Sequence, residues 1–309
     1  MAVLQNVACN SFEGEYIQTS TLQSFVALGN LLTATSNYTP MVGVAVGDAG
    51  IGKSVSRLYY EGLLARQEGS ARAISLCVLP RLTPTLLIGQ LFGGLGEPLP
   101  AGRSASRLDD IAGALRLHGL PLVMLDEADR LSNQCLDLLC SLFERTGCPC
   151  LLVGLPSLLQ QCQKHAQLWN RIGACLKFLQ LSFDEVLHRV LPALDVAGWE
   201  FDPAREADFL LAKQLWEAAC PSLRRLRTVL GTASTLAHMR HEPRITSSCV
   251  QEALRWLLPP ALDHPRRHEE SMKRRQKFRK DRLRSPGQMS RAQSHSTKEQ
   301  RDASCSDTR

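Results

Sequence analysis

Two short stretches hold residue types that together can handle a polyphosphate. The first is Gly47-Asp48-Ala49-Gly50-Ile51-Gly52-Lys53-Ser54, which has the spacing GxxxxGK[ST]. The apolar run MVGVAV (41–46) precedes it and a helix-like stretch follows, so the loop joins a strand to a helix. Glycines let such a loop curl until successive N–H groups face inward, and the helix N-terminus adds partial positive charge. Lys53 would reach the β- and γ-phosphates and the Ser54 hydroxyl would ligate Mg²⁺, with Val55 next in the same helix. Gly50 and Gly52 alone would read as turn residues. The appended Lys-Ser makes the case for phosphate.

The second stretch is Leu122-Val123-Met124-Leu125-Asp126-Glu127, an apolar strand ending in two carboxylates. At the carboxyl end of a strand, Asp126 would orient Mg²⁺ through water and Glu127 would polarise an attacking water. A strand running into an acidic helix cap has the same appearance by itself. The phosphate loop tips the reading towards catalysis. Asp129 reads as a cap or a salt-bridge partner. ATP and Mg²⁺ are therefore the expected cofactors, and ATP hydrolysis is the expected reaction.

The elements that would position these groups follow from hydrophobic patterning. Short apolar runs at 41–46, 73–79, 121–126, 150–154 and 175–181 read as strands buried on both faces. Amphipathic stretches lie between them, such as Ser104–His118 with Leu108, Ile111 and Leu115, and Leu131–Thr146 with Leu136, Leu139 and Phe143. The fold class is α/β: a P-loop domain with a parallel five-stranded sheet flanked by helices, followed by a small all-helical lid. The expected organisation is a lead-in over 1–36, a nucleotide-binding core over 37–183, a lid over 184–260 and a basic, disordered tail over 261–309.

Composition narrows the class. The chain has 309 residues, 44% of them hydrophobic, which allows a core of ordinary size. No apolar run approaches the roughly 18–20 residues that span a bilayer, and no secretory signal pattern opens the chain. The expected setting is bacterial cytoplasm. Eleven cysteines occur without a CxxC pair, and Cys148-Pro149-Cys150 lacks further ligands at metal-binding spacing, so reduced structural thiols are expected. The net charge of +6 is concentrated in His264–Arg284, with the remainder near neutral. That segment is a nucleic-acid or partner-binding arm, or a solvated tail.

Longer patterns carry a family resemblance. PLVMLDEADRL (121–131), PCLLVGLPSL (149–158) and LWNRIGACLKFLQLSFD (168–184) together resemble the TniB, TnsC and Mu B type of AAA+ transposon target-selection ATPase, in the initiator branch. ExeA-like ATPases and Cdc6-like initiators share parts of the pattern. The resemblance implies an arginine finger at Arg171, completing a neighbouring subunit's site, and hence a homo-oligomer with nucleotide between subunits. It implies nucleotide contact from Arg224 or Arg225 at the start of a lid helix. One departure is Leu155, where the family's residue is often polar and helps hold the lytic water, which implies slow, partner-regulated hydrolysis.

The resemblance also implies non-specific contacts to double-stranded DNA from Arg81, Thr83, Arg103 and Ser104. Arginine and hydroxyl groups suit phosphate contacts, which position without reading sequence. Thr83 and Ser104 would equally serve as helix caps. The functional expectation is an ATP-dependent DNA-binding regulator of transposition that oligomerises on target DNA and recruits or activates a separate transposase, with a target-selector protein as a further partner. An ExeA-like ATPase scaffold and a Cdc6-like replication initiator or loader are the alternatives. No membrane partner is expected.

Overall fold

The computed structural model describes residues 16–35, 41–66, 73–100, 104–194, 201–219 and 222–257. Five strands, β1 (Val42–Val46), β2 (Ile74–Cys77), β3 (Val123–Asp126), β4 (Cys150–Gly154) and β5 (Ile172–Lys177), form one parallel sheet in the order β2-β3-β4-β1-β5. Each crossover carries at least one helix. These are α2 (Lys53–Ala65), α3 (Pro84–Leu95) and α4 (Ser104–His118), α5 (Asn133–Thr146), and α6 (Ser157–Lys164) with α7 (Ala166–Trp169). A further helix, α1 (Ser20–Thr35), precedes the sheet.

Alternation along the strands divides the core in two. Val42, Val44, Val46, Leu125, Cys150 and Leu152 pack with residues of α3, α4, α5 and α6. Ala45, Met124, Leu151 and Val153 pack with Phe25, Leu28 and Leu32 of α1 and with Tyr60 and Leu64 of α2. A sheet covered on both faces needs apolar residues at every position, and β1, β3 and β4 are buried throughout. The lead-in helix α1 is thus one of the two helices closing a face of the sheet.

The last strand departs from its expected span. The apolar run at 175–181 suggested the strand itself, whereas β5 begins three residues earlier and ends at Lys177. β5 is an edge strand whose residues alternate between half-buried and exposed, so it lacks the continuous apolar signature. The apolar residues beyond it serve other contacts. Phe178 stacks at 5.9 Å from Phe25, and Leu181 enters the lid core.

The lid comprises α8 (Phe183–Glu185), a π-helical turn (Val186–Val190), α9 (Leu191–Ala193), α10 (Glu206–Ala219), α11 (Leu223–Met239) and α12 (Ser247–Leu257). Its core includes Val186, Val190, Leu215, Leu226, Val229, Leu230 and Val250. Pro192 has no N–H to donate, and the wide turn sits just before it. A capping box at Ser182 and Glu185 starts the lid. Glu185 also accepts from the Ser20 N–H at 2.8 Å, tying the start of α1 to the start of the lid.

Candidate nucleotide site

Because every strand runs the same way, the loops after β1, β3 and β4 emerge at one edge of the sheet. The phosphate-loop candidate follows β1, and its first residue donates to the Gly154 carbonyl at 3.2 Å. Gly50 and Gly52 take φ of +77° and +108°, which glycine adopts without strain. At Gly47 the need is space, because a Cβ would stand 2.6 Å from Phe178 Cβ. Gly52 caps α2 without any side-chain hydrogen bond, so amides of the first turn keep their donors for an anion. Ile51 is buried and anchors the loop, whereas Asp48, Ala49, Ser54 and Val55 are exposed.

Lys53 Nζ donates to the carbonyls of Gly47 and Asp48, at 2.7 Å each. Burial lowers its pKa from the ordinary lysine value, opposed by the carboxylates of Asp126, Asp129 and Asp48; Arg224 pushes the same way as burial. Three acids and one lid arginine therefore act on the same ammonium.

The acid pair closes β3. Asp126 is 4% exposed; its Oδ1 accepts the Glu127 N–H at 2.9 Å and its Oδ2 lies 3.4 Å from Arg57 Nε. Glu127 has φ +55°, a left-handed conformation uncommon outside glycine, and its carboxylate ion-pairs with Arg130 one turn on. The donor set for a cation is hard oxygen: the Ser54 hydroxyl and the Asp126 carboxylate. Among the described residues no group of three or more His, Cys, Asp or Glu side chains could hold a metal. Two protein oxygens suit Mg²⁺, which takes one or two such ligands and completes its octahedron with phosphate and water.

The lid reaches the loop directly. The Arg224 N–H donates to the Gly50 carbonyl at 3.3 Å, and Ser222 lies against Gly50. Of the two candidate lid arginines, Arg224 is thus the one beside the loop and the one whose charge is felt at Lys53. Both are exposed on the first turn of α11.

Two residues near the acids carry more than the sequence suggested. Asp129, read as a cap or a salt-bridge partner, accepts the Leu155 N–H at 2.9 Å and so holds the loop after β4. Arg57, not singled out from sequence, is buried against Asp126. The helical spacing of Lys53 and Arg57 was the signal available for it.

Arg171 stands at the other edge. Its carbonyl accepts from the Val42 N–H at 3.0 Å, so it precedes β5 where β1 begins. About 16 Å of strand separates that level from the phosphate loop. The side chain ion-pairs with Glu144 and donates to the Gln167 carbonyl.

The DNA candidates divide. Arg81 is exposed in the turn after β2, with φ +60°. The Thr83 hydroxyl caps α3 by accepting from the Leu86 N–H at 3.3 Å. Ser104 begins α4. Arg103 and the basic segment 264–284 lie outside the described residues.

Arrangement and sequence agree on one architecture. Residues 36–162 match the family model described as AAA domain. The fold is that of a P-loop AAA+ domain. The chain is similar to the ORC2 protein of Aeropyrum pernix, solved as ADPNP-ADP complexes, with TM-score 0.62 and 17% identity, covering 79% of this chain and 69% of that one. It is similar to the ORC1 protein of the same organism, solved in complex with DNA, with TM-score 0.56 and 18% identity over 77% and 65% of the two chains. Over 69 residues it is 32% identical to a potential ATP-binding protein of Staphylococcus aureus, an alignment that spans 22% of this chain and 26% of that relative. At these identities the solved structures speak for the AAA+ fold. The matched stretch contains both the phosphate loop and the Asp126–Glu127 pair. Among the described residues no helix is long and apolar enough to cross a membrane.

Proposed function

We propose that this chain is an ATP-dependent, DNA-associated switch of the AAA+ initiator type, which hydrolyses ATP at a site completed by a second protomer. The carrying observation is the meeting of the phosphate loop, Asp126–Glu127 and the lid helix bearing Arg224 at one edge of the sheet, with Arg171 at the opposite edge. Loop amides, Lys53 and Arg224 hold nucleotide phosphates. Ser54, and Asp126 through water, would hold Mg²⁺, which would supply neutralisation of phosphate charge. Glu127 is the base that orients the attacking water, once free of Arg130. Leu155 brings no polar group to that water, which favours a slow, partner-dependent reaction.

DNA association is supported by the exposed Arg81 and by the likeness to an ORC protein solved with DNA. Within this reading, a Cdc6-like replication initiator draws support from the ORC structures. A transposition regulator with a separate transposase rests on the sequence resemblance alone. The two differ in how many protomers coat a long duplex: a filament-forming regulator covers it, whereas an initiator binds as a few copies per site.

The test is electron microscopy and nucleotide hydrolysis with long duplex DNA, ATP, a slow analogue and ADP. ATP-dependent assemblies on DNA that vanish in Lys53→Ala are expected. DNA binding that is absent in every nucleotide state would overturn the DNA-associated reading. Hydrolysis unaffected by Lys53→Ala would overturn the site.

A further inference from the structure

Among the described residues, Arg57 and its partner Asp126 are the buried charges at the nucleotide edge. Arg57 follows Lys53 by four residues on α2, so it lies one turn below the phosphate loop. It shares the buried face of α2 with Ser56, Tyr60 and Leu64. Arg57 is 8% exposed, and its Nε and Nη1 meet named partners. Nε points to Asp126 Oδ2 at 3.4 Å, and Nη1 is bonded to Ser75 Oγ of β2 and lies 3.4 Å from Glu61 Oε2. Ser75 and Asp126 belong to neighbouring strands, so one side chain braces α2 against β2 and β3.

This arrangement bears on a cation. Both oxygens of Asp126 are engaged, Oδ1 by the Glu127 N–H and Oδ2 by Arg57. A carboxylate held on two sides presents fixed geometry, but it shares its negative field with the guanidinium. Buried charges interact far more strongly than exposed ones, and the penalty for a second cation beside Asp126 scales accordingly. Glu61 counters part of the Arg57 charge from the outer side, and its side chain is 39% exposed.

We propose that Arg57 is a positioning residue that orients Asp126 and sets the Mg²⁺ requirement of the nucleotide site by competing with the metal for that carboxylate. This rests on the reading that Asp126 orients the metal. Two consequences of opposite sign follow. Removing the guanidinium charge lowers the Mg²⁺ needed, and removing Glu61, which leaves Arg57 less neutralised, raises it.

The test measures binding of a fluorescent, non-hydrolysable ATP analogue to the full chain as Mg²⁺ is titrated, alongside thermal unfolding. Arg57→Gln should lower the Mg²⁺ midpoint by about tenfold, and Arg57→Lys should hold it within about twofold. Glu61→Gln should raise it by about two- to threefold, and this exposed substitution keeps the test decisive if the Arg57 variants unfold. A midpoint unmoved by both Arg57→Gln and Glu61→Gln, with the proteins folded, would reduce Arg57 to a structural ion pair. Asp126→Asn is the control: if it leaves the Mg²⁺ dependence unchanged, the role of Asp126 fails, and the proposal about Arg57 fails with it for that separate reason.

Discussion

At the scale of single residues, Glu127 is where the chemistry and the backbone meet. Its left-handed φ turns the chain just after β3, and Arg130 holds its carboxylate. Glu127→Gln keeps the shape and loses the base. It should bind ATP as tightly as the parent chain and hydrolyse it at least about 100-fold more slowly, as read by a phosphate-release assay. Equal rates would remove Glu127 from catalysis. Both motif residues were legible because GxxxxGK[ST] and a strand ending in Asp-Glu are local patterns. Arg57 and Asp129 were not, because their roles come from pairing across α2, β3 and β4, which spacing along the chain does not encode. The same limit left Arg224 and Arg225 tied; in the fold it is the Arg224 N–H that meets the Gly50 carbonyl. Thiol chemistry is a separate residue-scale matter. Burial pushes the Cys148 thiol up to about 12 and Cys162 up to about 11, and Cys150, wholly enclosed, well above its ordinary value. Burial also raises the exposed Cys77 and Cys175, but their thiols are reachable, so alkylation with iodoacetamide at pH 8 should label them ahead of these three, as mass spectrometry of the peptides would show.

At the scale of elements, two of the lid's attachments among the described residues can be loosened separately. The first is the Ser182–Glu185 capping box, which Glu185 extends to the Ser20 amide. Ser182→Ala should cost about 1 kcal/mol in chemical unfolding. Burial opposes the Glu185 charge, but hydrogen bonds from Ser20 and Ser182 outweigh it and lower the pKa below the usual glutamate value. A carboxylate depressed on folding contributes stability above its unfolded pKa and loses it as pH falls through the folded one. The contribution is therefore present at pH 7 and disappears in the acid range below the usual glutamate pKa. The second attachment is Gly50, where φ is +77° and Ser222 leaves no room for a Cβ. Gly50→Ala should displace the start of α11 and weaken nucleotide binding by about tenfold, measured by fluorescence titration, from strain and lost space together. Sheet strands were readable where both faces are covered. β5 was misplaced because an edge strand has half its side chains in solvent, and the stronger apolar run beyond it supplies Phe178 and Leu181 to two other cores.

At the scale of the whole molecule, the two edges of the sheet have different tasks. One gathers Lys53, Asp126, Glu127 and Arg224. The other carries Arg171, too far along the strands to serve the same protomer's loop. Stacking copies head to tail brings one edge to the other, a heterologous contact that closes into a ring or extends into a filament. On the proposed reading, the Glu144 carboxylate that now pairs with Arg171 would give way to a neighbouring protomer's phosphate. This makes a prediction that neither a monomeric site nor an ordinary surface salt bridge shares. Arg171→Ala removes the finger and leaves the chain's own nucleotide site intact. Glu127→Gln removes the base and leaves the finger intact. Each variant should be at least about 100-fold slower than the parent protein when assayed alone. Mixed in equal amounts with duplex DNA and ATP, they should recover activity at about a quarter of the sites, those where an Arg171→Ala protomer receives its finger from a Glu127→Gln neighbour. The recovery should rise steeply with protein concentration and fall as salt weakens the protomers' contacts to the DNA that gathers them. A mixture no faster than its two components, under conditions where the parent protein assembles, would leave Arg171 as a salt bridge and return the whole reaction to one chain.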